Sequence, residues 1–340
     1  MPTMEKMLQV GAPVALTTTT AVISALLYQY AFKRADKTVM TTPLPPDSPY
    51  YDADQWFLNT PKEKWWLNHD DPDQEIQAFY LPAAQPSKKA VIISHGYKGQ
   101  ARKMAASARL FWEDGYNVLM PDNRSHGGSA GKYINFGLLD RLDYLDWINQ
   151  VIGRLGPDCE IVLFGISMGG ATVMMVSGEE LPHQVKAIIE DCGYSSVEEE
   201  LTYQMRSQFH LPKWPFWPII SGINRITLGL SLADSVTSIS QLKKNTRPIF
   251  FIHGTADTYV PTSMCIDCFN ATSAPKDMWL VPGATHANSF ATAPQEYAAR
   301  VKRFLAQYVP SEQSPALPSA QSSLLRSSSQ PGPAQPTPAS

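Results

Sequence analysis

A basic cluster is missing from this chain, and so is any paired set of cysteines. Lysine and arginine number 28 against 31 aspartates and glutamates, a net charge of −3, and nothing gathers the cations into a patch. A nucleic-acid partner therefore has no support. The four cysteines exclude a zinc site of the usual kind. Cys265-x-x-Cys268 has the spacing of half a site, but no second pair completes it, and no His/Cys/Asp cluster has metal-ligand spacing. Cys265 and Cys268 read as small buried thiols on a helix, with a disulfide or redox role as the alternative. Cys159 and Cys192 fall at opposite ends of two adjacent strands, too far apart to bridge. No metal and no cofactor is expected. Internal repeats are absent as well.

What the chain does have is apolar residue, 44% of 340, enough to bury one large core. A stretch of about 250 residues, 61–308, fits a single domain. Its most informative segment is Glu160 to Ala171, where the apolar run Ile161-Val162-Leu163-Phe164 leads into Gly165-Ile166-Ser167-Met168-Gly169. The run has the length and β-branched content of a buried parallel strand. Gly-x-Ser-x-Gly at its end reads as a strand-to-helix turn that lifts a serine hydroxyl into a site. A side chain at either flanking glycine would clash with the strand or helix beside the turn.

The pattern alone arises by chance about 0.1 times in a chain of this composition, and Gly127-Gly128-Ser129-Ala130-Gly131 matches it too. Ser129, however, follows the irregular Asp122-Asn123-Arg124-Ser125-His126 and precedes no obvious helix. It reads as a loop serine, and Ser167 as the nucleophile. A serine needs a base, and the base an orienting acid. Both follow in the order Ser, Asp, His. The strand 248–252 ends in His253-Gly254-Thr255-Ala256-Asp257, which sets Asp257 on a loop. The short strand 278–281 runs into Pro282-Gly283-Ala284-Thr285-His286. Loops past the carboxyl ends of parallel strands are where α/β sheets build sites.

With these motifs together the chain resembles the α/β-hydrolases of the serine esterase and aminopeptidase-like branch over about residues 60–308. His95-Gly96-Tyr97, after the strand 90–94, sits at the family's oxyanion-hole position. The resemblance implies that the backbone N–H groups of Tyr97 and Met168 hold the developing oxyanion. Asn117 to Asp122 resembles the family's next strand, and Arg124-Ser125-His126-Gly127 its Arg-x-His-Gly turn. The implied fold is α/β: a mostly parallel central sheet with flanking helices and a helical cap insertion. The implied activity is hydrolysis of a small-molecule acyl substrate.

Other readings compete. His95, His126 and His253 each sit beside a glycine at or just past a strand end and read as structural turn histidines. His69, His183 and His210 read as surface residues. Asp191 ends the strand 185–190, where some relatives carry the acid, but the His-Gly-x-x-Asp-x-x-Val-Pro spacing favours Asp257. An aminopeptidase or acyltransferase could use the same three residues, and a silent hydrolase fold could serve as a binding module. The intact Ser, Asp and His favour an enzyme.

Outside this region, residues 7–32 carry no charge. As a helix they reach about 39 Å, beyond a hydrocarbon core of about 30 Å. Residues 1–34 are therefore expected to be a membrane anchor, with a cleaved signal peptide as the alternative. Lys33, Arg34 and Lys37 outnumber Lys6, which by the positive-inside rule keeps the enzyme cytoplasmic. Anchored hydrolases resembling this chain favour the extracytoplasmic side, and that side is the expectation kept. Residues 35–60 read as a linker, and 309–340, dense in Ser, Pro, Gln and Ala, as a disordered tail. The cap is expected at about 194–245. In it, Trp214, Phe216 and Trp217 face an acyl or leaving-group pocket, glue the cap to the body, or touch lipid headgroups. Oligomeric state is open.

Overall fold

Near-continuous apolar runs in the middle of the chain become the inner strands of one sheet. The computed structural model describes residues 4–34, 44–68, 70–232 and 236–309. Eight strands, β1 (Glu63–Leu67), β2 (Ile76–Leu81), β3 (Lys89–Ser94), β4 (Asn117–Pro121), β5 (Glu160–Ile166), β6 (Val185–Asp191), β7 (Ile249–Gly254) and β8 (Lys276–Val281), lie in the order β1-β2-β4-β3-β5-β6-β7-β8. The two pairings at the β1 edge are antiparallel and the other five parallel. This is the mostly parallel sheet with flanking helices expected from the sequence.

Alternation along the inner strands feeds two cores. Ile161 and Leu163 of β5 face one, Val162 and Phe164 the other. On the first face lie α4 (Asp140–Leu155), α5 (Met168–Val176) and α9 (Thr262–Ala271). On the second lie α2 (Tyr51–Asn59), α3 (Ala105–Glu113) and α11 (Pro294–Tyr308). Helices on both faces are what make an inner strand apolar throughout rather than alternating. Between β6 and β7 the chain forms α6 (Val197–Phe209), α7 (Phe216–Leu228) and the short α8 (Ser238–Leu242). A further one-turn helix, α10 (Ser289–Thr292), precedes α11. Cys159, Cys192, Cys265 and Cys268 are all free and buried.

The N-terminal segment departs from expectation. It is helical, α1 (Met4–Phe32), but among the described residues no helix is long and apolar enough to cross a membrane. The four threonines and two glutamines within residues 7–32 dilute the run. The anchor is therefore corrected, and with it the ground for choosing a side of a membrane. The end of α1 packs on the domain instead. Ser24, Tyr28 and Phe32, four residues apart, are buried, as one helix face should be. Tyr28 stacks on Phe32 at 4.5 Å and reaches Thr227 and Asn224 of α7 with its hydroxyl. Ile134 donates its N–H to the Phe32 carbonyl at 2.6 Å, and Arg34 donates to the carbonyls of Gly127 and Ser129.

The stretch read as a linker holds α2, whose Phe57 is buried and whose Asp54 accepts two hydrogen bonds from Arg102, each 2.6 Å. The tail 310–340 lies outside the described residues.

Candidate active site

The turn after β5 forces Ser167 into an unusual backbone state, φ 58° and ψ −119°. Such a conformation costs a non-glycine residue free energy and persists only where its surroundings hold it. Here the Ser167 N–H donates to the Asp191 carbonyl at 2.8 Å, and its own carbonyl accepts from Ala171 at 2.9 Å, inside α5. The flanking glycines have the steric reason read from the sequence. A Cβ on Gly165 would stand 2.1 Å from the Gly169 carbonyl oxygen, and one on Gly169 2.1 Å from that of Ser94.

Three residues distant in sequence meet at this turn. Ser167 Oγ lies 2.8 Å from His286 Nε2, and His286 Nδ1 lies 2.8 Å from Asp257 Oδ2. With Nδ1 donating to the carboxylate, Nε2 is left to accept from the serine. Asp257 Oδ1 accepts the N–H groups of Tyr259 and Val260, each at 2.9 Å. Burial opposes ionisation of Asp257, but hydrogen bonds from His253 and His286 outweigh it and hold the carboxyl far below its usual range. The Tyr259 ring leans on His286 at 4.8 Å.

Asp191 does not touch His286. Its oxygens accept from the Ser289 and Tyr297 hydroxyls at 3.0 Å each, and burial raises its pKa to about 6. Ser129 is also accounted for. Fully buried, it donates to the Asp122 carbonyl at 2.5 Å and accepts from the Gln77 N–H at 3.0 Å.

Tyr97 and Met168 flank the serine. Met168 opens α5, where first-turn N–H groups have no partner within the helix. A Cβ on Gly96, the neighbour of Tyr97, would lie 3.5 Å from Ser167 Cβ. This loop is held by the turn histidines. His126 Nε2 accepts the Lys98 N–H at 3.2 Å, and His95 Nε2 that of Asn123 at 3.0 Å. Burial lowers the pKa of both rings, which suits neutral acceptors.

Two compartments open from Ser167, sharing Tyr97 and Tyr259 in their walls. The first is walled by Leu27 and Ala31 of α1, Phe136, and Met205, Trp217 and Ile220 of the helices after β6. The second is bounded by His286, Tyr50, Lys103 and Phe290. The three cap aromatics divide their roles. Trp217 lines the first compartment, Phe216 packs into the core, and Trp214 is 73% exposed.

Several residues here escaped the sequence reading. Leu27 and Ala31 were hidden inside a stretch that resembled a membrane span. His253 was assigned to a turn, yet its Nε2 lies 3.3 Å from Asp257 Oδ2 and 2.9 Å from the Val260 carbonyl oxygen. Glu200, buried in the wall of the first compartment, has its pKa raised to about 8, burial being the main cause. Its place in a run of three glutamates, 198–200, carries no local sign of burial.

Among the described residues, Cys192, Asp257 and His286 place ligand-type atoms within 4.8 Å of one another. The set fits a metal poorly. Burial and nearby carboxylates push the Cys192 thiol up, whereas a metal needs the thiolate, and the other two are bound to each other.

The chain is similar to several known proteins. The family model described as serine aminopeptidase, S33, matches residues 85–211, a span that includes Tyr97, Ser167 and Met168 and stops before Asp257. The uncharacterized protein YqkD of Bacillus subtilis (strain 168) is 27% identical over 231 residues, 68% of this chain and 75% of its own length. The uncharacterized YfhR of Escherichia coli (strain K12) is 27% identical over 250 residues, 72% and 79% of the two. An esterase of Pyrococcus furiosus superposes with a TM-score of 0.60 at 19% identity, covering 79% of this chain and 97% of its own. An acylaminoacyl peptidase of Pyrococcus horikoshii gives 0.54 at 17%, covering 77% and 44%. At such identities the two structures show a shared fold.

Proposed function

We propose that this chain, an α/β-hydrolase by fold, is a serine hydrolase that cleaves a carboxylic ester through an acyl-enzyme on Ser167. The observation that carries the reading is the unbroken chain Ser167 Oγ, His286, Asp257, with 2.8 Å at each link, set on a turn that points the hydroxyl between two compartments. His286 Nε2 takes the proton as Oγ attacks the carbonyl carbon, and Asp257 holds the tautomer and stabilises the imidazolium. The N–H groups of Tyr97 and Met168 receive the oxyanion. His286 then protonates the leaving alkoxide, a water attacks the acyl-enzyme with His286 as base, and the acid departs with Ser167 restored.

The two compartments support a division of the substrate, the apolar one for the acyl group and the one beside His286 for the leaving group. A catalytically silent module would have no use for the complete set of three. Labelling by a fluorophosphonate probe tests the reading: the full chain should label and Ser167→Ala should not. Equal labelling of both would overturn it.

A further inference from the structure

We infer that the last two turns of α1 are the acyl-binding wall of this enzyme and a brace for its oxyanion loop, an assignment that rests on the serine-hydrolase reading. Two independent sets of contacts point to it. The first is the wall itself. Leu27 and Ala31, one turn apart, line the same compartment as Ser167, opposite Met205, Trp217 and Ile220. They are half-buried, while Tyr28 and Phe32 beside them are 1% exposed. The helix is therefore held down through Tyr28 and Phe32 and gives Leu27 and Ala31, with the Phe32 ring, to the cavity.

The second set joins this helix end to the loop beside the nucleophile. The Tyr97 hydroxyl donates to the Ala31 carbonyl at 2.7 Å, and Lys98 Nζ donates to that of Tyr30 at 2.9 Å. These carbonyls belong to the last turn, where no further residue of the helix can pair them. The Tyr97 ring stacks on Phe136 at 5.3 Å, and Phe136 meets Phe32 edge-on at 5.0 Å. A residue expected to supply an oxyanion N–H is thus held from its side-chain end by α1.

The chemistry of the wall names the substrate class. Its α1 side, Leu27, Tyr30, Ala31 and Phe32, is apolar or aromatic and carries no charge, so it takes an alkyl chain. Each methylene buried there raises kcat/KM about fourfold until the compartment is full. Acetyl groups leave it empty.

A p-nitrophenyl ester series from acetyl to decanoyl, read on full-length protein, tests the assignment. The octanoyl-to-acetyl ratio of kcat/KM should be large in the wild type and fall tenfold or more in Leu27→Trp, whose indole fills the compartment. Val22→Ala, on the solvent side of α1 at 53% exposure, should leave the ratio alone. Tyr97→Phe keeps the backbone N–H and loses the brace. It should lower kcat at every chain length with KM changing little. Turnover with an unaltered ratio in Leu27→Trp defeats the wall, and an unaltered kcat in Tyr97→Phe defeats the brace. If the wild type hydrolyses no ester and Ser167 takes no fluorophosphonate, the serine-hydrolase reading itself fails.

Discussion

Arg34, two residues beyond the end of α1, donates hydrogen bonds to the carbonyls of Gly127 and Ser129, in the loop that follows β4. With the Phe32 carbonyl accepting from Ile134, it fastens the helix end to the body beside the site. Deleting residues 1–40, and α1 with them, should therefore abolish most ester turnover and lower the melting temperature. A membrane anchor, as the sequence suggested for these residues, would instead leave the truncated chain fully active. Kinetics of a chain starting at Thr41 separate the two, and retained turnover on every ester would mean that α1 only shields the body.

Removal of the nucleophile or base should leave almost nothing. Ser167→Ala and His286→Ala are expected to lose about 10⁴-fold or more in kcat, and doing both should cost little beyond either alone, because the residues act as a unit. Losses that multiply in the double variant would mean the two do not share one step.

The acids should rank by contact. Asp257→Asn presents an amide to His286 and favours the wrong tautomer, with a loss on the order of 10⁴-fold. Asp191→Asn disturbs only the hydroxyls of Ser289 and Tyr297. It should cost stability of about 1–3 kcal/mol with kcat nearly intact. Kinetics and thermal melts of both purified variants check the order, and a reversed ranking moves the acid to Asp191.

The distribution of what was legible follows from where the physics acts. Gly165, Ser167 and Gly169 were readable because the turn is built from local sterics. Asp257 and His286 were readable because strand runs end just before them. The partner of α1 was not, since an uncharged helix buries its face against lipid or against protein with the same side chains. Only the position of Tyr28 and Phe32 against α7 and Phe136 decides between them. His253 and Glu200 were missed for a related reason: their environment comes from strands and helices far away in sequence. Ser129 falls between these cases. Its loop position was legible, but its burial against Gln77 was not, so Ser129→Ala should weaken folding by about 1 kcal/mol rather than chemistry.

Two buried glutamates set the sign of the last prediction. Burial raises Glu190 and Glu200 each to about 8, against an ordinary value of 4.5. A carboxyl with a raised folded pKa favours the native state fully below its unfolded value, and the advantage is lost as pH climbs through the folded one. His253, raised by Asp257 and Glu190 against its burial, pulls the same way. Asp257 is ionised in both folded and unfolded chains above neutrality and adds no slope there. The melting temperature should therefore fall between pH 6 and pH 9. Glu200→Gln, neutral at every pH and able to keep the Gln204 contact, should flatten that fall. Thermal melts of the wild type and Glu200→Gln at both pH values measure it. A wild type more stable at pH 9 than at pH 6 would mean that Glu190 and Glu200 are charged in the native state and paired there.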